Sequence, residues 1–288
     1  MAWRNIVITK HSKISAKMNH LVILTDDDSF QLPLDDVAII VVETTRAVIT
    51  THAVSECLAR NIKLIFCDSK GLPVGESLPY KINTNRVANI RKQFQWDQKL
   101  KDMLWQRIVE EKIAHQAYVL NEIDCEDAET VRRLASVVTA GDMDNREAVA
   151  AHMYFPRLFT YEFVRGDDSN PVNALLNYGY SIILSETCRQ VAQYGYLSEL
   201  GIHHDNDKNP FNLACDLMEP FRPYVDKRIY ELEEKELNPG TKVKLVELLR
   251  DEIPEQNTNL SHLIELYVRD SLRYLDGSGK LPELGFIQ

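Results

Sequence analysis

Two histidines, His203 and His204, close a Gly-Ile-His-His string, and the acids Asp216 and Glu219 follow a short polar loop. The acids are three residues apart, so on a helix they share a face. An imidazole and two carboxylates brought together suit a hard divalent cation such as Mg²⁺ or Mn²⁺. Leu213, Leu217, Met218 and Phe221 make the same segment apolar enough to be buried. Buried carboxylates need a partner or a metal. Solvated acids and idle loop histidines are the competing reading. Glu147, in GDMDNREAVAAHMYF, is a further carboxylate candidate. Asp144 or Asn145 reads as the N-cap of an alanine-rich helix, which puts Glu147 in its first turn. A favourable helix-dipole contact would explain Glu147 equally well.

The elements that must position these groups change character along the chain. From about Ile6 to Phe66, short β-branched runs (NIVIT, HLVIL, VAIIVVET, IKLIFCD) alternate with polar turns and predict strands. Ile39–Val42 reads as a central strand, Thr51–Arg60 as one helix, and Ser69–Glu76 as a turn leading out. Beyond Arg86 the period is helical, over roughly 86–121, 126–138, 145–164, 171–195, 212–236, 241–252 and 258–275. The expected class is α+β. Residues 1–76 form a small β-sheet domain used for dimerisation, 77–86 a linker, and 87–288 an all-helical catalytic domain with a tail that is mobile or docks a partner.

The 288 residues carry a net charge of −10, which argues against nucleic-acid binding until its distribution is considered. Residues 1–115 hold 16 Lys/Arg against 13 Asp/Glu, and the remainder holds 17 against 30. Phosphate affinity follows local clusters more than totals. Lys10, Lys13 and Lys17 form one such cluster, and Lys81, Arg86, Arg91 and Lys92 another. Arg222 either holds a phosphate or pairs with Glu219 or Asp216. Tyr178, Tyr180, Tyr194 and Tyr196 are core residues or base-stacking platforms. Five cysteines without CxxC spacing, no leader-like apolar segment and no membrane-length run predict a cytoplasmic protein with reduced thiols. No phosphate-binding Walker loop or GxSxG elbow is present.

Four segments in order carry a resemblance: LDDVAIIVVETTRAVITTHAVSECLARNIKLIFCDSKGLPVG, NREAVAAHMYF, NPVNALLNYGYSIILSETCRQVAQYG and LGIHHDNDKNPFNLACDLMEPFRPYVD. Together they resemble the universal CRISPR-associated integrase of spacer acquisition. The GIHH and DLMEPFRP wording is most similar to the type II subtype, found beside Cas9 nucleases. The resemblance implies an N-terminal β domain and a helical metal-bearing domain. It places the catalytic glutamate on Glu147, the histidine on His204 rather than His203, and the paired acids on Asp216 and Glu219. The second acid is Asp in many relatives, so Glu219 is a departure within the acidic class. Glu147, His204 and Glu219 would be the metal ligands, and Asp216 a ligand or an acceptor orienting His204. The implied reaction joins 3′-OH ends of captured DNA into a repeat array by transesterification. The implied partners are DNA, a second copy of the chain, the small ferredoxin-like Cas2 subunit, the Cas9 effector and a ring-shaped accessory protein. An unrelated metal-dependent nuclease and a non-catalytic DNA-binding scaffold are the alternatives.

Overall fold

A computed structural model describes residues 4–69, 73–77, 79 and 83–286. Two compact units emerge, one of residues 1–81 and 238–250, the other of residues 82–237 and 251–288.

The first unit is built on two four-stranded sheets. Strands β1 (Arg4–Ile8), β5 (Val37–Val42), β7 (Lys63–Cys67) and β8 (Pro73–Glu76) form one sheet in the order β1-β5-β7-β8. β1, β5 and β7 run parallel, and β8 is antiparallel on the edge. β5 is the unbroken apolar run VAIIVV, and Ile39 to Val42 are all buried, as an interior parallel strand requires. Strands β2 (Ser12–Lys17), β3 (His20–Thr25), β4 (Ser29–Pro33) and β6 (Val48–Ile49) form the other sheet in the order β4-β3-β2-β6. Helix α1 (Thr51–Ala59) is capped by the Thr50 side chain, which accepts from the Ala53 N–H. One core joins Ile8, Ile40 and Leu64 of the first sheet, Ile14, Leu21 and Ile23 of the second, and Cys57 of α1.

Three readings of this region change. Ser69–Glu76 is not only a turn, because β8 within it pairs with β7. The hairpin β2–β3 turns on Met18 and Asn19, both at positive φ, with Lys17 facing His20. That is the geometry of a type I′ turn, normally signalled by Asn-Gly, and methionine at the first position hid it. The third change comes from the other end of the chain. Residues 238–250, expected in the helical domain, belong to the β unit.

The second unit is helical. It contains α2 (Arg86–Gln93), α3 (Gln98–Glu122), α4 (Ala128–Ala135), α5 (Arg146–Leu158), α6 (Pro171–Gln193), α7 (Asn212–Met218) and α8 (Arg222–Glu231). Helix α9 (Pro239–Glu247) returns to the first unit, where Lys242 pairs with Glu43 at 2.5 Å. A two-residue-per-strand hairpin, β9 (Glu252–Ile253) with β10 (Thr258–Asn259), then leads to α10 (Leu260–Leu275). The long helices α3 and α6 are buried on most of their circumference, the signature of central helices. Around α3 pack α4, α5, α8 and α10.

Breaks inside the long sequence segments have local causes. The 86–121 segment divides at Phe94–Asp97, where Asp97 caps α3 by accepting from the Lys99 and Leu100 N–H groups. The 212–236 segment divides at Glu219–Phe221, a 3-10 turn between α7 and α8. Pro220 and Pro223 supply no N–H there, so a continuous helix is lost. The tail docks on its own chain. Glu111, fully buried on α3, accepts from the backbone N–H of Leu284 and Phe286, and the Phe286 ring stacks on His115 at 4.0 Å. Among the described residues no helix is long and apolar enough to cross a membrane.

Candidate metal centre

The Gly201–His204 turn is held by one carboxylate. Asp216, 0% exposed on α7, accepts from the Ile202 N–H at 2.6 Å and the His203 N–H at 3.1 Å through Oδ2. Its Oδ1 takes the His204 N–H at 3.1 Å and His204 Nδ1 at 2.6 Å. A carboxylate with four such contacts has its lone pairs engaged. Asp216 therefore orients His204 and leaves Nε2 of that ring as the atom able to ligate. The bond to Asp216 holds the His204 pKa above its ordinary value against the opposing effect of burial.

The turn's approach to Asp216 depends on Gly201. A Cβ there would lie 2.2 Å from the His204 carbonyl oxygen and 2.8 Å from Asp216 Oδ2. Asn212, 3% exposed, closes the loop from behind by donating to the carbonyl oxygens of Glu199 and Asn206, both at 3.0 Å. The two histidines part company here. His203 lies flat on the buried Trp105 of α3 at 4.2 Å, whereas His204 meets the same indole edge-on.

Glu147 reaches the site from the first turn of α5. The cap differs from expectation. Asn145 is in the left-handed region and makes no side-chain cap bond. Asp142 does the capping, accepting from the Arg146 N–H at 2.8 Å and the Glu147 N–H at 3.1 Å. Asp142 is itself left-handed at φ 51°, following Gly141 at 73°. That tight reversal aims its carboxylate into the open helix end.

Glu147 and Glu219 converge on a single cation, the ammonium of Lys112. Lys112 Nζ lies 2.5 Å from Glu147 Oε1 and 2.5 Å from Glu219 Oε2. Arg222 adds 2.9 and 3.0 Å contacts to the two Glu219 oxygens and lays its guanidinium over the Tyr180 ring. Burial works to raise the Glu219 pKa, but Arg222 and Lys112 outweigh it and hold the carboxyl down at about 2. The same two glutamates keep the buried Lys112 charged, raising its pKa despite desolvation.

The expected acids are therefore brought together, but not as one face of one helix. Asp216 faces the histidine turn, while Glu219, at the head of the 3-10 turn, faces α3. Among the described residues no three His, Cys, Asp or Glu side chains are close enough as placed to ligate one ion. Two carboxylates that share one cation, beside an oriented imidazole, are nonetheless residue types that could hold a divalent ion.

Of the basic residues read as DNA contacts, Arg222 pairs with Glu219, and Lys92 reaches Asp276 at 2.8 Å. Arg91 is exposed, Arg86 is half-buried, and Lys81 lies outside the described residues. Tyr178, Tyr180 and Tyr196 are core residues rather than stacking platforms. Nothing in the sequence pattern marks Lys112, Asp142, Gly201 or Asn212 for a role in this site. A lysine after two glutamates on a long helix reads as solvent-facing, and only packing buries it.

Fold and site together define a protein with a β unit and a helical unit, the latter holding two glutamates on one lysine beside an aspartate-bound histidine. The family model for CRISPR associated protein Cas1 matches residues 6–242, and the chain belongs to that family. It is 38% identical over 269 residues to a CRISPR-associated endonuclease Cas1 of Neisseria meningitidis, covering 91% of this chain and 88% of that protein. A casposase bound to an integration product superposes with a TM-score of 0.79 at 19% identity, over all of this chain and 94% of the other. A Cas6-RT-Cas1–Cas2 complex chain matches at 0.73 and 17% identity, over 97% of this chain and 35% of the larger one.

Proposed function

We propose that this Cas1 protein is the metal-dependent integrase of CRISPR adaptation. It joins 3′-OH ends of captured DNA to a repeat boundary. The observation that carries the reading is the convergence of Glu147 and Glu219 on one cation position beside the Asp216-oriented His204. Glu147, Glu219 and His204 would hold Mg²⁺ or Mn²⁺, while Asp216 acts through His204. The ion, when bound, supplies activation of an attacking oxygen and neutralisation of phosphate charge. The reaction forms a bond from the incoming 3′ oxygen to phosphorus and breaks the target strand's 3′ ester bond. No protein nucleophile is required. Arg222 fixes the Glu219 carboxylate from behind, and Asp216 fixes the histidine turn, so both groups are held in place before the ion binds.

A casposase neighbour bound to an integration product and a neighbour in a complex with Cas2 support DNA and Cas2 as partners. Two homodimers bridged by Cas2, with Cas9 and a ring-shaped accessory protein as further partners, extend the type II likeness.

The test is an integration assay with a supercoiled repeat plasmid, a short 3′-OH duplex, Mn²⁺ and Cas2. Glu147→Ala, His204→Ala and Glu219→Ala each lose joined product by several orders of magnitude, while gel-shift affinity for duplex DNA changes little. His203→Ala is milder, because that ring packs on Trp105 instead of meeting Asp216. Wild-type joining by Glu147→Ala, or cut products without joined ones from the wild type, would sink the assignment.

A further inference from the structure

Lys112 has no part in the reading above, yet it occupies the centre of the site. It leaves α3 near the middle of that helix and is 6% exposed. A lysine is rarely buried this deeply unless paired. Its two partners come from α5 and from the 3-10 turn after α7, elements with no sequence proximity to each other or to α3. Because both contacts are 2.5 Å, the two carboxylate oxygens are no further apart than twice that distance. Without a positive charge between them, the buried Glu219 and the half-buried Glu147 carboxylates would repel each other.

We infer that Lys112 is the resident counter-ion of this centre: its ammonium holds Glu147 and Glu219 together until a divalent cation displaces it. The inference rests on the metal-site reading and adds a specific competitor to it. An ammonium and a divalent ion cannot both sit within ligand distance of the same two oxygens, since like charges that close repel strongly even in a polar site. Displacement is open to Lys112 because its four-carbon stem is flexible. Glu219 keeps its second cation, Arg222, when the ammonium leaves. Lys112 is thus a positioning residue. It keeps the carboxylates assembled in the metal-free protein and weakens metal affinity by competing for the same oxygens.

Calorimetric titration of the DNA-free full chain with Mn²⁺ tests this, using wild type, Lys112→Met, Lys112→Gln and Glu147→Gln. Lys112→Met is expected to melt lower than wild type in EDTA yet bind Mn²⁺ at least tenfold more tightly. Glu147→Gln is expected to lose the binding. Lys112→Gln covers the case in which methionine prevents folding. Equal or weaker Mn²⁺ affinity in the folded Lys112 variant overturns the inference and leaves the metal-site reading standing. If neither wild type nor variant binds Mn²⁺, the metal-site reading itself falls. A wild-type readout needs no variant: amine-reactive labelling of Lys112, followed by mass spectrometry, should be several-fold faster in saturating Mn²⁺ than in EDTA. Equal labelling in the two conditions would also overturn the displacement.

Discussion

Asp226 lies one helical turn beyond Arg222 on α8 and is 1% exposed. Its Oδ1 accepts from the Tyr180 hydroxyl at 2.5 Å. Burial raises its pKa to about 7, outweighing the Tyr180 bond and the nearby Arg222 charge. The folded protein therefore binds a proton that the unfolded chain releases near pH 4. Stability falls as pH rises through that window, and the loss is complete above about pH 7. Asp226→Asn cannot ionise, so it should gain on wild type by on the order of a few kcal/mol between pH 4 and pH 8. Thermal melts across that range measure the gap. A gap that stays constant with pH would mean that Asp226 does not titrate there. Burial pushes the Glu219 carboxyl in the same direction, but there the Arg222 and Lys112 charges outweigh it.

At the scale of elements, the site is assembled by ends and turns rather than by helix faces. Asp142 caps α5, Asp216 ties down the GIHH turn, and prolines stop α7 so that Glu219 turns toward α3. The β unit presents a different element, β4. It pairs only with β3 in its sheet, and Phe30 on it is 51% exposed. An exposed apolar edge strand invites pairing with another chain. We expect this edge to join two copies, and Phe30→Asp to weaken the association at least tenfold. Light scattering at micromolar concentration checks it, and a wild type that runs as a monomer would rule it out.

For the whole molecule, the charge of −10 coexists with basic side chains grouped on α2. Binding to duplex DNA should weaken steeply with salt, because phosphate contacts release counterions. Neutralising Arg86, Arg91 and Lys92 together should lower affinity and flatten the slope of log affinity against log salt. Arg91→Ala should contribute more than Lys92→Ala, because Lys92 is already shared with Asp276. Filter binding over a salt series measures this. An unchanged slope in the triple variant would show that α2 does not face DNA.

The strands β1, β3, β5 and β7, the helix α1 and the helical character beyond Arg86 are legible in the sequence, because apolar period is a local property that burial only reinforces. The bond of the His204 ring to Asp216 and the grouping of Glu147 with Glu219 are legible only through the family resemblance. Tertiary structure decided the rest. It moved residues 238–250 into the β unit and docked the tail on Glu111. It also made Asp142 the cap of α5 and Asp216 the holder of the histidine turn, and it placed Lys112 between two acids distant in sequence. Each of these depends on which buried charge meets which across the fold. Those pairings are set by the desolvation of groups far apart along the chain, and no local pattern encodes them.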